Sequence, residues 1–168
     1  LLEDIGIILL ARGEVDASID HQRRALAIKQ AVLGPEHPNV ASCHINLGRA
    51  LASKGDHANA HAHFDEAVRI KVESFGKDHP DVAAAINNSG MAYFFEGDYE
   101  KSKRDIARAL QLREAGLGSE HPQVGDTLTN LALAQTALGE LEQAKQSLHR
   151  SMTIFEAALG IAHRRLIG

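Results

Sequence analysis

The sequence predicts an all-α solenoid of antiparallel helix pairs, and three observations carry that prediction. The segments Gly34-Pro35-Glu36-His37-Pro38, Gly76-Lys77-Asp78-His79-Pro80 and Gly118-Ser119-Glu120-His121-Pro122 recur at a constant offset of 42 residues. Within each period the apolar residues follow helical spacing and never alternate as in a strand. Hydrophobic residues are 44% of the 168-residue chain but aromatics only 4%, with no tryptophan, so small side chains must pack closely approaching helices.

The register divides the chain into units at about 1–33, 38–75, 80–117 and 122–159, with 160–168 beginning a degenerate or truncated further one. The first unit lacks its leading part and the chain opens without methionine, as expected of a piece of something longer. In the second unit, Val40, His44, Leu47, Gly48 and Leu51 fall on one helix face, matched in the third by Val82, Ile86, Ser89, Gly90 and Tyr93. A turn follows at Gly55-Asp56 and Gly97-Asp98: the glycine ends the first helix with a positive φ and the acid is placed to cap the next. The second helix of each pair then runs through Ala60, Phe64, Ala67, Val68 and Phe75, or Ser102, Ile106, Ala109, Leu110 and Leu117. Each His-Pro step sets proline at the first turn of the following helix, where a missing N–H costs nothing. The fourth copy, Gly160-Ile161-Ala162-His163-Arg164, has lost that proline. Gly48, Gly90 and Ala132 stand opposite Ala60, Ser102 and Ala144, which allows close approach within a pair. Helices that cannot bury a face alone must stack on their neighbours into a superhelix.

Composition narrows the function classes. The net charge of −4, from 22 acidic and 18 basic residues without a block of one sign, gives no nucleic-acid footprint. A lone cysteine, Cys43, leaves no internal disulfide and no multi-cysteine metal site, and a cytoplasmic location is expected. No stretch approaches the roughly 20 apolar residues of a membrane span, so no membrane partner is expected. No nucleophile stands with a base, and the glycines are isolated turn signals, so neither catalysis nor a cofactor is expected.

The stretch Ile86-Asn87-Asn88-Ser89-Gly90 and the step Leu33-Gly34-Pro35-Glu36-His37-Pro38 resemble the tetratricopeptide repeat, in its 42-residue kinesin light chain-like variety. The likeness covers nearly the whole chain and implies a right-handed superhelical solenoid. The common unit is about 34 residues long; the eight extra would lengthen helices by up to ~12 Å in total and deepen the groove.

The resemblance also implies that the first helix of each pair lines a concave groove. Its rows here read Glu3, Ile45, Asn87, Thr129; then Asp4, Asn46, Asn88, Asn130; then Ile7, Arg49, Met91, Leu133; then Leu10, Ala52, Phe94, Thr136. The candidate partner contacts are Asn46, Arg49, Asn87, Asn88, Met91, Phe94, Thr129, Asn130 and Leu133. Asparagine amides can pair with the backbone of an extended peptide or with the stack itself, and both readings stay open. Of the adjacent Phe94 and Phe95, at least one must face the groove or the next repeat, since Tyr93 fills the core position. Family members that hold acidic tails do so with lysine and arginine clamps. These rows offer only Arg49, balanced by Glu3 and Asp4, so the expected partner is an apolar or mildly basic protein segment.

His57, His61 and His63 are the densest polar cluster. His57 and His61 share the i, i+4 spacing of a metal pair, but no third ligand is evident, and a solvated convex face is expected. His37, His79 and His121 recur one unit apart, too far to share an ion, which points to a junction role. Cys43 beside a core His44 is expected to be a buried, inert thiol. The leading functional expectation is a protein- or peptide-binding scaffold. Alternatives are a regulatory or sensor segment of a larger signalling enzyme, and self-association through the repeat ends.

Overall fold

In the computed structural model, which describes residues 1–167, eight helices follow one another: α1 (Leu2–Ala11), α2 (Val15–Leu33), α3 (Pro38–Lys54), α4 (His57–Phe75), α5 (Pro80–Glu96), α6 (Tyr99–Leu117), α7 (Pro122–Ala137) and α8 (Leu141–Ile167). They pair as α1/α2, α3/α4, α5/α6 and α7/α8 and stack into a right-handed superhelix. Each first helix also touches the first helix of the next pair, α1 on α3, α3 on α5, α5 on α7. The backbones of successive second helices stand further apart, α6 and α8 meeting only through side chains such as the Glu114–Arg150 ion pair, so the array curves with the first helices on its inner side.

The junctions explain why the His-Pro step recurs. His37, His79 and His121 are N-caps in extended conformation, and each ring Nδ1 accepts the backbone N–H two residues on, from Asn39, Asp81 and Gln123 at 3.1, 3.2 and 3.2 Å. The proline between them occupies the first helical turn, where no intrahelical N–H is needed. Inside each pair, Gly55 and Gly97 adopt left-handed φ of 85° and close the first helix. The acids that follow behave differently from one another. Asp98 caps α6 by accepting from the Lys101 N–H at 3.2 Å, whereas Asp56 makes no cap bond and accepts from the Asn59 side chain instead. Past Gly160, α8 continues to Ile167.

Close approach within a pair depends on glycine. A Cβ at Gly48 would lie 2.7 Å from the Phe64 ring, and one at Gly90 would lie 2.7 Å from Ile106 Cγ1. The bulky side chains of the second helix therefore lie over the glycines, while Ala60 and Ser102 pack fully buried beside them. Phe64, Leu47, Ile70 and Ile106 are the largest fully enclosed core groups, each worth about 2 kcal/mol of burial. The core runs on from unit to unit, with Ala85 and Ala92 of α5 joining the cluster built by α3 and α4.

Candidate binding groove

The inner side of the superhelix holds a cavity of about 850 Å³. Its lining comes from three successive units: Ile7 and Leu10 on α1, Arg49, Ala52 and Lys54 on α3, His57 and Phe64 on α4, and Asn88, Met91 and Phe95 on α5. One face of each first helix supplies the residues of α1, α3 and α5 because a straight helix returns to the same side every three to four positions.

Three of the sequence-derived contacts, Arg49, Asn88 and Met91, line the cavity. Leu133 continues the row of Ile7, Arg49 and Met91 onto α7 and is exposed, outside the cavity. Asn46 is half-buried and also outside. Asn87 and Thr129 turn away from it: Asn87 is buried and accepts a 3.2 Å bond from Asn130, while Thr129 bonds Gly125 O and Ser151 on α8. Their row lies a step of about 100° round the helix from the row of Asn88. The amides are thus partly spent within the stack, since Asn88 Nδ2 also donates to Ala84 O at 2.7 Å.

Of the two adjacent phenylalanines, the expected contact Phe94 lies outside the cavity and Phe95 lines it. The Phe94 ring packs against Phe95 and against Tyr99 at the start of α6, with centroids 5.6 and 5.5 Å apart. Phe95, 70% exposed, is the one of the two that enters the cavity. The signal was present in the row Ala11, Ser53, Phe95, two members of which are cavity-lining small residues.

The electrostatics also depart from the sequence reading. Glu3 bridges to Lys29 and Asp4 to the N-terminal amine, and neither carboxylate lines the cavity. Lys54 bridges to Asp16 at 2.7 Å across an exposed surface. Among the described residues Arg49 has no carboxylate partner, so the lining presents cations and no acid.

The histidines do not lie on a solvated convex face. His61 hydrogen-bonds Glu96 Oε1 at 2.6 Å and stacks on Tyr93, and His57 comes within 3.6 Å of the same carboxylate oxygen. Both sit on the side of α4 that carries α5. His63 instead turns back to α3, where its Nδ1 lies 2.8 Å from Nδ1 of the buried His44. Burial holds His44 down at about 4, with the neighbouring His63 adding to the effect. Cys43 is fully buried, and its thiol is pushed up to about 11 by that burial, which leaves it unreactive.

A family model described as tetratricopeptide repeat matches residues 1–73, 54–103 and 81–157. No curated protein sequence matches significantly. Among solved structures, BtubC (BKLC) from P. vanneervenii superposes with a TM-score of 0.79 at 23% identity, covering 95% of this chain and 63% of that one. Kinesin light chain TPR-like repeats from Podosopora anserina give 0.72 at 22% identity, over 94% of this chain and 74% of theirs. The apo form of RapI gives 0.74 at 18%, over 94% and 55%. At these identities the likeness concerns the fold. Repeats of this kind generally mediate protein–protein interaction, and no catalytic family is indicated.

Proposed function

The chain belongs to the tetratricopeptide repeat family, and from that premise we propose that its concave groove holds a segment of a partner protein across α1, α3 and α5. A single observation carries the reading: a cavity whose apolar walls come from three successive units, with an unpaired guanidinium in its lining. Such a trough is preformed by the stack, so a guest pays little for reorganisation and gains from many modest contacts. Ile7, Leu10, Met91 and Phe95 favour an apolar side chain. Arg49 favours a carboxylate, since its planar fork pairs with one in two parallel hydrogen bonds. The apolar half of the sequence expectation stands in this proposal; the mildly basic half is replaced, because a basic guest would meet the Arg49 guanidinium in a lining that holds no acid, Lys54 being held by Asp16.

Selection of peptides from a random display library on the chain, followed by calorimetry on a selected peptide, tests this. Met91→Ala and Phe95→Ala are each expected to weaken binding about tenfold, the size of one lost apolar contact. Arg49→Glu is expected to abolish a preference for peptides carrying a carboxylate. All three residues lie on the groove surface, so thermal stability is expected to hold. Unchanged affinity in Arg49→Glu and Met91→Ala together would place the site elsewhere.

A further inference from the structure

Between successive second helices the outer side of the array carries furrows floored by a first helix, and they are not filled alike. In the furrow over α3 the His44 and His63 side chains meet, and Leu47, 2% exposed, closes the floor. Over α7, Leu128 and Leu131 close it at 3% and 8% exposure. Over α5, Ser89 holds the register position of Leu47 and Leu131, and a cavity of about 400 Å³ opens there. Val68, Ile86 and Ser89 line it together with Asp65 of α4 and, from α6, Asp105 flanked by two arginines. Ile86 and Ser89 stand roughly half a turn round α5 from Asn88, Met91 and Phe95, so this cavity lies on the side opposite the groove.

The charges of the lining are unevenly matched. Arg104 lies 3.2 Å from Asp105, and Arg108 reaches out of the cavity to Asp78 at 2.8 Å. Lys101, at the start of the same helix, is held by Asp98 at 2.7 Å. Asp65 has neither a hydrogen bond nor an ion pair among the described residues. Each cation is answered, and one carboxylate is not. Tyr93 feels the same field: burial pushes its phenol up, and Asp105 and Asp65 add to that against Lys101, so both carboxylates converge on this side of α5.

We propose that this cavity is a second docking site, separate from the groove, which receives one arginine side chain of a partner protein. Its guanidinium pairs with Asp65 while the methylene stem lies on Val68 and Ile86. Arginine suits the place better than lysine, because its planar fork gives one carboxylate two parallel bonds and it sheds water more readily than an ammonium. Ser89 provides the room by being small, and His61 Nδ1, 3.3 Å away, keeps its hydroxyl partnered beneath the stem. An acidic guest would face Asp65 and could reach Arg104 or Arg108 only by displacing Asp105 or Asp78.

Peptides selected from a random display library on the chain carrying Arg49→Glu and Phe95→Ala, in which the groove is disabled, test this site whatever the groove itself binds. Arginine is expected to recur among the selected sequences. In fluorescence titrations of a labelled selected peptide, citrulline in place of the arginine and Asp65→Asn in the protein are each expected to weaken binding about fivefold, the upper end for one exposed ion pair. Ser89→Leu copies the units on either side and fills the cavity. It is expected to abolish binding while circular dichroism and the thermal midpoint hold. A selection that yields no arginine-bearing binder overturns the proposal. An affinity unchanged by citrulline, by Asp65→Asn or by Ser89→Leu overturns it equally.

Discussion

Acidification is expected to unfasten the second unit before the others, through the pair His44 and His63. Their Nδ1 atoms lie 2.8 Å apart, which requires one proton between two neutral rings. Protonating the acceptor Nδ1 breaks that bond and sets a cation against the N–H of the other ring at the α3/α4 contact, with Arg23 and Arg69 nearby and only Glu66 opposing it. His44 is held down to about 4 from 6.5 by burial and by His63, and His63 is lowered in the same direction. The fold therefore favours the neutral form. Its contribution is complete above the unfolded value near 6.5 and is lost as pH falls from there toward 4. For His44 alone the loss relative to pH 7 is about 2 kcal/mol at pH 5 and about 3 kcal/mol at pH 4. Urea denaturation at pH 7, 6 and 5 measures it. The matched control is His44→Ile with His63→Ser, which copies Ile86 and Ser147 from the same positions of other units. Wild type is expected to lose about 2 kcal/mol more than the control between pH 7 and 5. Parallel declines in the two proteins would refute the assignment.

Gly90→Ala is expected to destabilise by about 1–3 kcal/mol in chemical denaturation, since the new Cβ meets Ile106 Cγ1 at 2.7 Å and backbone atoms of Ser102 and Ile106 at 3.2 Å, which cannot all give way. His79→Ala removes the cap of α5 and is expected to cost about 1 kcal/mol, while His79→Asn keeps an acceptor there and is expected to restore most of it, both read from the thermal midpoint. Cys43, fully buried, is expected to resist a thiol reagent in the folded protein and to react at a rate that climbs with urea; rapid labelling of the native chain would contradict its enclosure.

The architecture was legible because its signals repeat. Gly-x-x-His-Pro, the small residues at Gly48 and Gly90 and the turn glycines each carry a local physical demand, a cap, a close approach or a positive φ, and each demand returned with the period. The groove was legible only to within a step of the helix. A row assignment errs by about 100° when shifted one residue, enough to exchange Phe94 for Phe95 and to put Asn87 in the groove when it faces the stack. The histidines of α4 were misplaced for a different reason. Their composition reads as a polar surface, and only the tertiary partners Glu96, Tyr93 and His44 make His57, His61 and His63 half-buried groups at the helix contacts.

Repetition and variation then divide the chain by role. A residue that returns in every unit answers a need that every unit has, and the stack is the need they share. The capping histidines fit that rule, and so do the amides of Asn88 and Asn130, which bond Ala84 O and Asn87 within the array. Positions that change from unit to unit are free of that demand. Ile7, Arg49 and Met91 occupy one register position with three chemistries, as do Ala11, Ser53 and Phe95, and all six line the cavity. A surface whose scaffold is periodic and whose lining is not presents a fixed shape with a unit-by-unit choice of contacts. In the proposed groove, selectivity would rest on the residues that break the period.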